Sequence, residues 1–137
     1  MAVTSSHIAP ETYDRFKWRL LADATHGLGL WEPLWAANVE FAALAPRQRE
    51  DIVVCALLEL EGEGLIRFVR RPLIGPWPSA EVADLGAVLA HDEVKDAIQQ
   101  EWWRKIPLER PPGDSSIWLE ATSEAGNKLN SLPRGSI

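Results

Sequence analysis

The chain has 137 residues, enough for one domain with a single real core, and its 46% hydrophobic and 25% charged content excludes a disordered polymer. A formal charge of −6 opposes non-specific nucleic-acid binding, although a local basic patch can work against that background. No uncharged apolar run is long enough to cross a bilayer and the first residues lack the order of a signal peptide, so a cytoplasmic protein with no membrane partner is expected.

Residues 1–9 and 131–137 are small, polar or rich in Pro and Gly, and are expected to be flexible ends of a single domain spanning 1–137. Residues 11–25 place Tyr13, Phe16, Leu20 and Ala24 at helical spacing with charges between them, which predicts an amphipathic helix. After the break at "THGLGL", the string "WEPLWAANVEFAAL" predicts a second helix with Pro33 in its first turn and a core stripe of Trp31, Leu34, Trp35, Val39 and Ala42. A third helix opens at Pro46, carries Glu50 and Asp51 near its N-terminus, and directs Ile52, Val53, Ala56, Leu57 and Leu60 inward. Gly62 or Gly64 takes a left-handed conformation at its end and turns the chain into a strand, "LIRFVR", with Ile66 and Phe68 on one face and Arg67 on the other.

Beyond a proline-rich loop holding Trp77, Ser79 is a candidate cap for a helix over 80–90, and Asp92 for a helix over 93–103 with Val94, Ala97, Ile98 and Trp102 inward. "IWLEA" alternates Ile117, Leu119 and Ala121 against Trp118 and Glu120, which predicts a second strand. Thr122 or Ser123 then caps a short last helix. Cys55, the single cysteine, sits in an apolar run and reads as a small buried thiol. Seven tryptophans are spread over all segments; large aromatics filling a small core explain most of them, and lining a contact surface is the alternative.

Taken together, residues 57–71, "LLELEGEGLIRFVRR", and residues 117–126, a strand running into "EATSEAG", resemble the winged-helix domains of MarR-type and PadR-type regulators. The resemblance implies a mainly α fold with a small antiparallel β-ribbon, five to six helices and two to three short strands, with the third helix as the DNA-reading element. The chain departs from it between the strands, where a helical insertion over 72–116 replaces the short wing. Within 79–101, six acidic residues against Lys95 leave a net charge of −5, which repels phosphate where a wing touches a backbone.

No zinc spacing joins His7, His26 and His91, and no phosphate-binding glycine motif occurs, so no metal, no cofactor and no enzyme activity are expected. Within "HDE" at 91–93, an acid reads as a helix cap rather than a base. Two readings of function stay open. One is a non-catalytic interaction module that binds another protein or itself, with Trp77, Trp103 and Arg104 as contact residues. The alternative is a transcriptional regulator that touches DNA with Arg47, Arg49, Arg67, Arg70 and Arg71. A small-ligand pocket lined by Trp31, Trp35, Trp77 or Trp118 is the weakest-supported reading.

Overall fold

The structure is a computed structural model that describes residues 8–74, 81–82, 86–99 and 115–135. Helices α1 (Pro10–Ala24), α2 (Glu32–Glu40) and α3 (Pro46–Gly62) precede the long strand β2 (Ile66–Ile74), with the two-residue strand β1 (Leu28–Gly29) between α1 and α2. Then follow β3 (Glu81–Val82), β4 (Ala87–Val88), α4 (His91–Gln99), β5 (Ser115–Ala121) and a last helix, here α5 (Ser123–Ser131). The fold is thus mainly helical with one small antiparallel sheet.

The α1 face follows its periodicity: Tyr13, Phe16, Leu20 and Ala24 are buried as expected, joined by Lys17 and Leu21. Helix α3 buries Ile52, Val53, Ala56, Leu57 and Leu60, all five of the residues its spacing selects. Its first turn lacks a side-chain cap, but the Gln48 carboxamide oxygen accepts the Ala45 N–H at 2.9 Å and satisfies one orphan donor. At the other end Gly64, with φ of 73°, makes the turn into the sheet, while the Leu65 N–H reaches back to the Leu60 carbonyl at 3.0 Å.

Strand β2 pairs antiparallel with β5 from Ile66 opposite Ala121 to Pro72 opposite Ser115, the ribbon expected from the two alternating segments. Pairing places Ile66, Phe68, Ile117 and Leu119 on one face, where all four are at most 3% exposed and close the core over the helices. β1 adds to the outer side of β5, and β3 and β4 line the opposite edge of β2. Phe16 and Phe41 meet edge to face, 5.1 Å between centroids, and tie α1 to the end of α2.

Three expectations are corrected. The core face of α2 is Leu34 and Ala37, continued by Leu30 before it and Phe41 after it, whereas Trp35 is 46% and Val39 82% exposed and Ala42 is also exposed. A helix whose residues are apolar on nearly every side gives periodicity no contrast, so the stripe could be drawn along the wrong side. The segment expected as a helix over 80–90 instead contributes β3 and β4, so the insertion is not wholly helical. An open edge of β2 offers this segment a ladder, and Gly86 allows it to lie close: a Cβ there would stand 2.6 Å from the Arg70 carbonyl oxygen. Lastly, α4 begins one residue before Asp92, and its cap is the Ala90 N–H donating to Glu93 Oε1 at 2.9 Å. Ser79 and the end of the helix expected over 93–103 lie outside the described residues.

Thr122 does occupy the N-cap position of α5, but its hydroxyl accepts no helix N–H and instead donates to the Gly64 carbonyl at 2.6 Å. The same residue's N–H donates to Leu65 O at 2.9 Å. Thr122 thereby locks the end of β5 onto the turn that starts β2.

Candidate interaction surface

None of the four described tryptophans is fully buried: Trp35 is exposed, and Trp18, Trp31 and Trp118 are half-buried. The fully buried core is aliphatic residues with Tyr13, Phe16, Phe41 and Phe68, and Trp18 and Trp31 are half-buried against it, so core filling holds only in part for the described tryptophans. Three of them form a run across the surface. Trp35 meets Trp31 edge to face at 6.5 Å, and Trp31 meets Trp118 in the same manner at 5.4 Å. Trp31 can lie there because it covers Gly29; a Cβ on Gly29 would come within 2.4 Å of the indole. The Gly29 N–H, at the sheet edge, donates to Glu32 Oε2 at 2.6 Å and so fixes the start of α2 against β1.

The run continues in charge. The Arg71 guanidinium lies over the Trp118 ring at 5.6 Å and donates to Glu120 Oε2, while Arg67 Nη2 donates to Glu120 Oε1 at 3.2 Å. Burial opposes ionisation of Glu120, but the hydrogen bonds and charges of Arg71 and Arg67 outweigh it and hold the carboxyl below its usual value. The outer face of the sheet is therefore aromatic at the α2 side and charged at the β2 side. Beside it, where α1 runs into β1, Thr25, His26 and Gly27 border a cleft of about 370 Å3 whose other walls include Arg71, Trp118 and Glu120.

Helix α2 presents the apolar end of this surface. Trp35 and Val39, four residues apart, lie on one face of α2 and are exposed, and Ala42, in the turn just past the helix end, is exposed as well. Arg19 Nη1 donates to Glu40 Oε2 at 2.8 Å and closes one flank of this face with a neutralised pair.

Of the residues expected to touch DNA, Arg67 and Arg71 are brought together, but by a shared carboxylate. Arg47 is exposed on the first turn of α3, and Arg49 beside it is half-buried and donates to Ala42 O at 3.4 Å. Arg70 is exposed on β2, opposite Ile117. Trp77, Trp103 and Arg104 lie outside the described residues. Sequence reasoning missed Glu120 as the residue that joins two arginines; the alternation of β5 had placed it beside Trp118, and only the pairing register sets both against Arg67 and Arg71.

A second polar cluster sits between α1 and α3. Tyr13 donates to Glu59 Oε1 at 2.9 Å, and Lys17, 7% exposed, binds the same oxygen at 3.2 Å. Burial and the neighbouring Glu59 both push the Tyr13 hydroxyl far above its ordinary value, and burial followed by Glu59 and Asp51 raises the half-buried Cys55 thiol. Both groups are held in their protonated, weakly nucleophilic forms. His91 Nδ1 pairs with Glu61, linking α4 to α3. Among the described residues no three His, Cys, Asp or Glu side chains gather as a metal site, and no helix is long and apolar enough to cross a membrane.

The chain matches no protein-family model, and comparisons with curated proteins and with solved structures find no match either.

Proposed function

We propose that the chain is a non-catalytic interaction module on a winged-helix-like scaffold, that it works in the cytoplasm, and that it associates through the outer face of α2 with the same face of a second copy. The observation that carries this reading is the exposed apolar pair Trp35 and Val39 on a helix whose opposite face already fills the core, with exposed Ala42 in the turn that follows it. Such a patch is self-complementary. When two copies meet antiparallel about a two-fold axis near Val39, each Trp35 lies against the small Ala42 of the other, large against small. No charged side chain stands in the patch, and the flanking Glu40 is already paired with Arg19.

Sedimentation velocity over a concentration series tests the proposal. The wild-type chain should pass reversibly from monomer to dimer, and Val39→Asp, which places a charge at the centre of the contact, should remain monomeric with an unchanged circular dichroism spectrum. A wild-type chain that stays monomeric up to about 0.5 mM, a weak-binding limit of roughly 4–5 kcal/mol, would overturn it.

The DNA-binding alternative draws support from exposed Arg47 on the first turn of α3. It loses support at β2, where Arg67 and Arg71 share Glu120 and present less charge to phosphate. Retention of duplex DNA at low salt, abolished by Arg47→Glu, is the result this alternative requires.

A further inference from the structure

The cleft between the end of α1 and the outer face of the sheet has the charge and shape of a binding site in its own right. Arg71 and Glu120 line the cleft, and Arg67, just outside its lining, pairs with the same carboxylate, so this group of three side chains keeps one positive charge in excess. That excess stands out in a chain whose overall charge is −6. Arg71 does not wave in solvent: stacking on Trp118 and its bond to Glu120 hold the guanidinium in one orientation, and its Nε is buried without an acceptor. A preset guanidinium loses little entropy on binding an anion and matches a planar carboxylate with two donors. Trp118 supplies an apolar wall, and the volume of about 370 Å3 lies in the range, on the order of 300–1,000 Å3, of small-molecule pockets.

We propose that this cleft binds a small organic monoanion, a carboxylate carried on an aromatic or branched apolar body. The carboxylate lies against Arg71 and the body against Trp118, with His26 at the mouth. Glu120 is the anchor of Arg71 and not a ligand contact; its own charge is already balanced by the two arginines. Inorganic anions fill only the charged end of such a site, and neutral aromatics only the apolar end, so the class is set by needing both.

The test uses the full chain with 1-naphthoate as probe and 1-naphthamide as its neutral counterpart, read by calorimetry and by the indole N–H signals in 1H–15N spectra. Naphthoate should bind saturably and shift the Trp118 signal, assigned with Trp118→Phe. The amide should bind at least about tenfold more weakly, the factor expected for losing one hydrogen bond to a charged group. Arg71→Gln should lose binding by a similar factor or more. If that variant fails to fold, Arg71→Lys retains the charge without the planar fork and should still weaken binding. Glu120→Gln, which raises the local positive charge, should bind no worse than about threefold weaker if Glu120 only anchors Arg71. Equal binding of acid and amide, or an unmoved Trp118 signal up to about 10 mM naphthoate, a limit of roughly 3 kcal/mol, overturns the proposal. Val39→Asp should bind the probe like wild type, so loss of self-association and loss of this site are read separately.

Discussion

The two faces of the β2/β5 ribbon are made by alternate residues of the same two strands, yet they do different work. Ile66, Phe68, Ile117 and Leu119 on the inner face are sealed from water, whereas Arg67, Arg71, Trp118 and Glu120 on the outer face keep part of their surface exposed. Burial of apolar area holds the first set in place, at roughly 25 cal/mol per Å2. The second set is ordered by directional contacts that each contribute little: a cation over a ring, a shared carboxylate, edge-to-face indoles. One face thus specifies the fold, and the other is left to present chemistry without endangering it. Val69 marks the boundary, since it points outward by alternation but is 3% exposed beneath the edge strand β4.

Substitutions on the two faces should separate this division of labour. The largest effect belongs to Phe68→Ala, which removes a ring with 0% exposure and should cost about 3–5 kcal/mol in urea denaturation; a loss below about 1 kcal/mol would mean that the inner face is not what closes the core. Next comes Gly64→Ala. The φ of 73° there sets the register that sends odd residues out and even ones in, and placing a Cβ on it should cost about 1–2 kcal/mol, with the outer ion pairs unaltered if the variant folds.

The third effect is confined to acid. Because the folded state holds Glu120 below its ordinary value, its contribution to stability is fully present above the unfolded carboxylate value, about 4.3, and is lost as pH falls from there through the lower folded one. Thermal denaturation should therefore show a shallower decline in this acid window for Glu120→Gln than for wild type, with the curves parallel at neutral pH. The smallest effect is Arg67→Ala. Its side chain is 51% exposed, so solvent screening limits the pair to about 0.2–1 kcal/mol, diminishing further as salt is added.

Much of the architecture could be read from the residues wherever apolar and polar positions contrast. α3 interleaves Ile52, Val53, Ala56, Leu57 and Leu60 with charges, and all five are buried; β5 alternates cleanly, and its pairing with β2 is the one expected. Contrast fails in α2, where Trp35 and Val39 are as apolar as Leu34 and Ala37 and only the tertiary surroundings decide which pair meets the core. It fails again at 80–90, where a good helical composition yields to the free edge of β2. The outer surface was legible only as an ingredient list. Arg67, Arg71 and Trp118 stand out as residues while Glu120 reads only as an alternating polar position, and that one carboxylate serves two arginines depends on register, a relation between segments far apart in the chain.

That distance also bears on how the molecule assembles. Partners in the β2/β5 ribbon are 43 to 55 residues apart, from Pro72 with Ser115 to Ile66 with Ala121, and β1 waits for the same strand. Such high contact order slows folding, because a long loop must close before its ladder repays the lost entropy. During synthesis α1 to α3 emerge with the β5-side edge of β2 bare and Ile66 and Phe68 without their neighbours Ile117 and Leu119. The nascent protein is most open to aggregation in that interval, and the last strand to be translated is the one that ends it.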